Sequence, residues 1–154
     1  MRDVTRPASG TTIAATQAFR TPVLVRFAHC DPAGIVFFPR YMEMFNNLVE
    51  DWCRDGLRIS FAEMHLERGW GLSTAHLEVD FAAPSFLGEE LSATLVVRRM
   101  GTSSVRLEIA LSDAEGSDRV RGQMVLVMVD TRSKRACPLP DDLRARMSVF
   151  QSAS

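Results

Sequence analysis

The sequence predicts an α+β protein in which a curled antiparallel sheet packs around one long helix. Three observations carry that expectation. One strongly amphipathic helical segment lies in the first third of the chain. Five segments alternate as strands do, four of them after the helix. The connections between the later strands are short, which favours antiparallel neighbours. The 154 residues suit one domain, and they can bury most of a single core without metal or disulfide help.

Taken in order, residues 1–17 are rich in Ser, Thr and Ala, with Pro7 and Gly10. They lack the continuous apolar core of a secretion signal and read as a mobile tail before a single domain over 18–150. Residues 19–28 read as a strand in which Phe19, Val23, Val25 and Phe27 share one parity. Pro22 places that strand at an edge or at its own start. The turn residues Asp31–Gly34 follow. Pro39 suits the first helical position, and Tyr41, Phe45, Leu48, Val49 and Trp52 recur at helical spacing. The spacing predicts a helix from Pro39 to about Arg54, stopped at Gly56. A weaker helical pattern covers Ser60–Arg68. Strands follow at 75–81, 90–97, 104–112 and 120–129, in meander-like succession. The run MVLVMV at 124–129 predicts burial on both faces. A basic loop holds Arg132, Lys134 and Arg135, and Pro140–Phe150 reads as a terminal helix with Asp141 and Asp142 in its favourable first turn. One helix with an aromatic stripe must bury that stripe on one face of the sheet. A cystatin-like or cone-shaped α+β barrel fits the same pattern.

Charge and composition exclude several functions. Eighteen Lys+Arg against 19 Asp+Glu give a formal net charge of −1, with pI ≈ 6.3 and mean hydropathy −0.01. That argues against a nucleic-acid binder working through an overall positive field. No apolar run reaches the ~18–20 residues that a bilayer requires, so no membrane association is expected. Cys30, Cys53 and Cys137 form neither a disulfide framework nor a zinc pattern, and a reducing cytoplasm is the expected compartment. His29, His65 and His76 are too scattered to argue for a metal site. There is no P-loop, no G-x-G-x-x-G and no G-x-S-x-G.

The segment HCDPAGIVFFPRY, residues 29–41, concentrates what chemistry there is. Asp31 sits in a tight turn between a strand and the start of the long helix. A helix start carries unpaired N–H groups and a partial positive charge. Such a start can polarise a carbonyl oxygen while a carboxylate attacks it or activates water. The plainer reading is that Asp31 only stabilises an Asp-Pro turn or caps the helix. Cys30 is the rival nucleophile, with His29 the only base near it in sequence; adjacent residues at a strand end point apart. Arg98, Arg99, Arg106, Arg121 and the Arg132–Arg135 loop could meet phosphates or form solvated faces. Glu50 and Asp51 read as an exposed helix face.

This segment, with the helix that follows it, closely resembles the hotdog-fold acyl-CoA thioesterases, in the aspartate-type branch of 4-hydroxybenzoyl-CoA thioesterase. The order of strand, helix and later strands is similar over about Phe19–Val129. The resemblance implies a hotdog fold, a five-stranded antiparallel sheet wrapped around one long central helix. It implies Asp31 as nucleophile or general base and the Phe38 backbone N–H as the group that polarises the carbonyl. Gly34 and Pro32 would shape the loop that the thioester approaches. Gly34, Phe37, Asn46, Arg98 and Arg99 are the substrate-binding candidates. The sequence departs from the family at Phe38, where relatives carry tyrosine or histidine. It departs again at Asn46, where the hydroxybenzoyl enzyme has an aspartate facing the para-hydroxyl. Gly101-Thr102-Ser103 stands where a basic cluster meets CoA phosphates. The expected substrate is an acyl-CoA with an aromatic or compact acyl group, with no metal and no cofactor beyond the substrate's own coenzyme A. A homodimer or homotetramer with its site at the subunit interface is implied. Hydrolysis of acyl groups on a carrier protein, or acyl-CoA binding without catalysis, fits the same residues.

Overall fold

The computed structural model describes residues 18–152; the expected tail, residues 1–17, lies outside the described residues. The chain forms β1 (Phe19–Leu24), a 3-10 turn (Phe27–His29) and α1 (Pro39–Asp51), which runs on through a π turn at Trp52–Gly56. After a second π turn (Glu63–Glu67) come β2 (Trp70–Phe81), β3 (Glu90–Met100), β4 (Ser104–Ser112), β5 (Asp118–Asp130) and α2 (Asp141–Ser148). The strands make one sheet in the order β1-β3-β4-β5-β2, and every neighbouring pair is antiparallel.

That order corrects the expected succession of four hairpin-linked strands. Only β3, β4 and β5 follow one another as a meander. β1 occupies the free side of β3, so β2 pairs with β5 at the opposite edge. The connection 82–89 crosses from β2 to β3, over three strand spacings or roughly 14 Å. A connection of that length reaches ~26 Å when extended, so its shortness does not require adjacency. The Arg119 carbonyl accepts the N–H groups of Ala82 and Ala83. The Arg119 guanidinium forks onto both Glu89 oxygens at 2.9 Å and donates to the Pro84 carbonyl at 2.8 Å. β1 lies at an edge as Pro22 requires, opposite Ser92.

One face of the sheet meets α1. Tyr41, Met44, Phe45, Leu48 and Val49 of the helix are buried, together with Leu95, Val97, Leu107, Ile109 and Leu126 from the strands. Burying one such side chain stabilises the fold by about 1.5–3 kcal/mol. Gly122 lets α1 approach closely, because a Cβ there would stand 2.8 Å from the Phe45 ring. The helix is not α-helical to Arg54 as expected. The Leu57 N–H donates to the Trp52 carbonyl five residues back, and the wider turn buries Trp52 and Cys53 side by side.

Three further expectations change. The first strand ends at Leu24, and its last apolar residue, Phe27, becomes an 84% exposed turn residue. β2 begins at Trp70 rather than Ala75 and bulges between Thr74 and His76. The run 124–129 buries fully only Met124, Leu126 and Met128, while Val125, Val127 and Val129 are half-buried. Their sheet face is the one turned away from α1, and at Val129 the His65 ring of the second π turn lies over it beside Gly71. No helix among the described residues is long and apolar enough to cross a membrane.

Candidate active site

The segment 29–41 folds into a small hairpin that delivers the chain to α1. Cys30 and Val36 pair across it. The Asp31 N–H donates to the Ile35 carbonyl, and the Gly34 N–H donates to the Asp31 carbonyl, each at 3.0 Å. Gly34 takes φ +77° with open space where a Cβ would be. The glycine is therefore demanded by its backbone conformation and not by crowding. Val36 is held by the Ser85 carbonyl, whose own hydroxyl accepts from the buried Tyr41 hydroxyl at 2.9 Å. The hairpin is thus tied to α1 and to the 82–89 crossover together.

Asp31 is half-buried. Its Oδ1 accepts the Ala33 N–H at 2.8 Å, the side-chain-to-backbone turn that an Asp-Pro sequence favours. Its Oδ2 has no partner among the described residues. The helix start supplies the complementary group. The Phe37 N–H is taken by the His29 carbonyl, Pro39 has none, and the Arg40 and Tyr41 N–H groups turn back onto Phe37 and Phe38. The Phe38 N–H alone at this start meets no acceptor among the described residues. The Arg40 bond draws the Phe37 carbonyl toward the helix, and in a trans peptide the following N–H points the opposite way. A free carboxylate oxygen and a free N–H so stand at the two ends of one short hairpin.

Aromatic rings cluster at this helix start. Phe38 packs edge-on against Phe37 at 5.5 Å and Phe81 at 6.3 Å, and Tyr41 lies 5.8 Å from Phe81. Phe37, Phe38 and Phe81 remain 48%, 61% and 52% exposed, an unusual concentration of uncovered ring surface. Phe81 ends β2, one of the two edge strands, which pairs with β5 on one side and with no strand on the other among the described residues. In the sequence it is one alternating strand residue among several, and only the packing associates it with the site.

The other candidates separate. Arg98 donates to Glu108 Oε2 at 2.7 Å and to the Ser152 hydroxyl at 2.5 Å, and Arg121 donates to Glu108 Oε1 at 2.9 Å and to Asp118. Arg98 is therefore no free phosphate contact, because Glu108 and Ser152 occupy its donors. Arg99 and Arg106 stand opposite each other on β3 and β4 with no acidic partner among the described residues. They line a cleft of about 210 Å³ with Gly101, Ser104 and Val125. Asn46 is exposed on α1, and Asp51 is 3.2 Å from Arg54. The thiols are poor nucleophiles. Burial pushes Cys53 up to about 12 and raises Cys137, while the Cys30 thiol points at the Arg26 carbonyl. His29 accepts the Arg26 N–H through Nδ1 at 2.9 Å and does not act as a base for Cys30.

The model of the thioesterase-like superfamily matches residues 25–147. The 1,4-dihydroxy-2-naphthoyl-CoA hydrolase of Synechocystis is 25% identical over 117 residues, covering 75% of this chain and 84% of that protein. Its namesake from Thermosynechococcus vestitus is 27% identical over 122 residues, covering 79% and 82%. Among solved structures, a 1,4-dihydroxy-2-naphthoyl-CoA thioesterase from Synechocystis superposes with a TM-score of 0.77 at 23% identity, covering 85% of this chain and 96% of the other. The family match spans the hairpin, α1 and all of β2 to β5, and on it this chain belongs to the thioesterase-like superfamily.

Proposed function

We propose that the protein hydrolyses acyl-CoA thioesters with an aromatic or compact acyl group. The observation that carries this is the uncommitted Phe38 N–H at the start of α1, paired with the uncommitted Asp31 oxygen across the hairpin. The thioester carbonyl oxygen accepts the Phe38 N–H, and the hydrogen bond strengthens as the oxygen becomes an oxyanion. The Asp31 carboxylate then attacks the carbonyl carbon, expelling the CoA thiolate and leaving a mixed anhydride that water cleaves. Alternatively it removes a proton from an attacking water. Both routes need the same two groups. Names of relatives that act on a dihydroxynaphthoyl thioester support an aromatic acyl group, as do the three uncovered phenylalanine rings.

Arg99 and Arg106 are the basic residues that receive CoA phosphates in this reading, with the Ser104 hydroxyl beside them. Like charges directly opposite on adjacent strands repel, and a bound phosphate relieves that repulsion. The hotdog arrangement, with α1 as the axis of a curled sheet, leaves β2 as a free edge. A second copy pairing there covers Phe81 and its neighbours, so the working enzyme is a homodimer or a pair of dimers.

Thiol release from a panel of aroyl-CoA and short acyl-CoA esters tests the activity, with carrier-protein thioesters alongside. Release from CoA esters is expected. Binding without release would replace hydrolysis by a binding role, and release only from the carrier would move the substrate. Light scattering of the 17.2 kDa chain is expected to give a dimer or tetramer. A monomer at micromolar concentration removes the shared interface.

A further inference from the structure

We propose that His29 is a positioning residue: its imidazole and its carbonyl together hold Asp31 and the Phe38 N–H in place, and protonating the ring releases them. This rests on the thioesterase reading for its catalytic consequence but not for its structural one. The His29 main chain is the fixed point of the hairpin. Its N–H donates to the Arg26 carbonyl at 3.0 Å, and its carbonyl accepts the Phe37 N–H at 2.9 Å. Asp31 follows two residues later on one side, and Phe38 follows Phe37 on the other. What holds that main chain is the ring. Nδ1 accepts the Arg26 N–H, closing the 3-10 turn of Phe27–His29 from within.

An accepting Nδ1 carries no proton, so the ring is neutral with its hydrogen on Nε2. A protonated ring has a donor at both nitrogens and would set N–H against the Arg26 N–H. Burial holds His29 below its ordinary value, Glu43 on α1 opposes that shift, and Arg26 and Arg40 add to it. The contribution to stability is therefore complete above the unfolded value of about 6.5. It is lost as pH falls through the lower folded value. The lost turn moves the Phe37 anchor relative to Asp31, and displacement of about 1 Å at a reacting centre costs on the order of a hundredfold in rate.

Two variants separate positioning from folding. In His29→Ala the Arg26 N–H loses its acceptor. kcat is expected to fall ~10–100-fold with KM within about threefold. In His29→Asn the side-chain Oδ1 is bonded to Cγ as Nδ1 is, so it can accept the same N–H but cannot titrate. This variant is expected to recover most of the lost rate and to lack the wild-type fall in kcat that His29 contributes as pH drops below about 6.5. Nitrogen-15 NMR of the full chain reads the same device without substrate. His29 should show an unprotonated Nδ1 at pH 8, and the Phe38 amide shift should titrate with the ring in wild type but not in His29→Asn. A Phe38 amide that ignores the His29 titration overturns the proposal. So do matching wild-type and His29→Asn pH profiles. A Phe38 amide that follows His29 in a protein hydrolysing no thioester would sink the thioesterase reading and leave the positioning role standing.

Discussion

The hairpin at Asp31 and the outer sheet face at Glu108 are both polar, and they are finished in opposite ways. On the sheet, Glu108 is 9% exposed and meets Arg98 at 2.7 Å and Arg121 at 2.9 Å, while Ser152 and Asp118 take further donors of the two guanidinium groups. The buried carboxylate there is fully partnered. At the hairpin, most backbone N–H groups are tied down by hydrogen bonds, yet one Asp31 oxygen and the N–H groups of Ile35 and Phe38 have no hydrogen-bond partner among the described residues. A saturated network stabilises and binds nothing further. A rigid frame with unspent groups is suited to a ligand. Charge density does not distinguish these two regions, whereas hydrogen-bond accounting does.

The largest expected effect breaks the comparison on the hairpin side. Asp31→Asn keeps an oxygen to accept the Ala33 N–H, so the turn and the melting temperature should barely change. kcat on an acyl-CoA ester should drop on the order of 10⁴-fold or more. Turnover within about tenfold of the parent would remove Asp31 from the chemistry.

The second prediction concerns acyl selectivity. Asn46 lies two turns from Phe38, roughly 12 Å along the helix, and offers a neutral amide where a carboxylate would bind a para-hydroxyl more strongly. The kcat/KM ratio of 4-hydroxybenzoyl-CoA to benzoyl-CoA should therefore stay below about a hundredfold. A larger preference would show that a buried group other than Asn46 reads the hydroxyl.

The third sharpens the contrast within the arginines. Replacing Arg99 and Arg106 together by Gln should raise KM for CoA esters ~3–10-fold, weaken its salt dependence and leave kcat near the parent value. Arg98→Gln should not raise KM, because its donors are already taken by Glu108 and Ser152. Equal effects from the two changes would erase the distinction drawn between paired and unpaired arginines.

The smallest effect on activity belongs to the saturated network. Glu108→Ala leaves Arg98 and Arg121 facing each other and should cost about 1–3 kcal/mol, lowering the melting temperature by several degrees. kcat/KM should remain within about threefold. A loss of turnover comparable to that of Asp31→Asn would mean that the outer face belongs to the active site.

Much of this was legible in the residues. Parity along Leu91, Ala93, Leu95 and Val97, and along Val105, Leu107, Ile109 and Leu111, announces strands with an apolar face, and those residues are buried, while Thr94, Val96, Glu108 and Ala110 on the opposite face are buried as well. Pro39 marks the helix start to the residue. The strand order was not legible, because period-two alternation says which side a residue faces and nothing about which strand lies beside it. Arg98 and Arg99 are adjacent in sequence with the same chemistry, and only the bulge between Val97 and Arg99 and the place of Glu108 give them different partners.

The sequence by itself determined the elements and the local turn at Asp31, because side-chain periodicity, the fixed φ of proline and the freedom of glycine act over a few residues. The tertiary structure alone decided that β1 rather than β2 lies beside β3 and that Phe81 joins Phe38. It alone left the Phe38 N–H without an acceptor once His29, Arg40 and Tyr41 had settled the bonds around it. Those outcomes depend on which distant groups compete for the same hydrogen bonds and the same surface, and that competition is resolved only when the whole chain is packed.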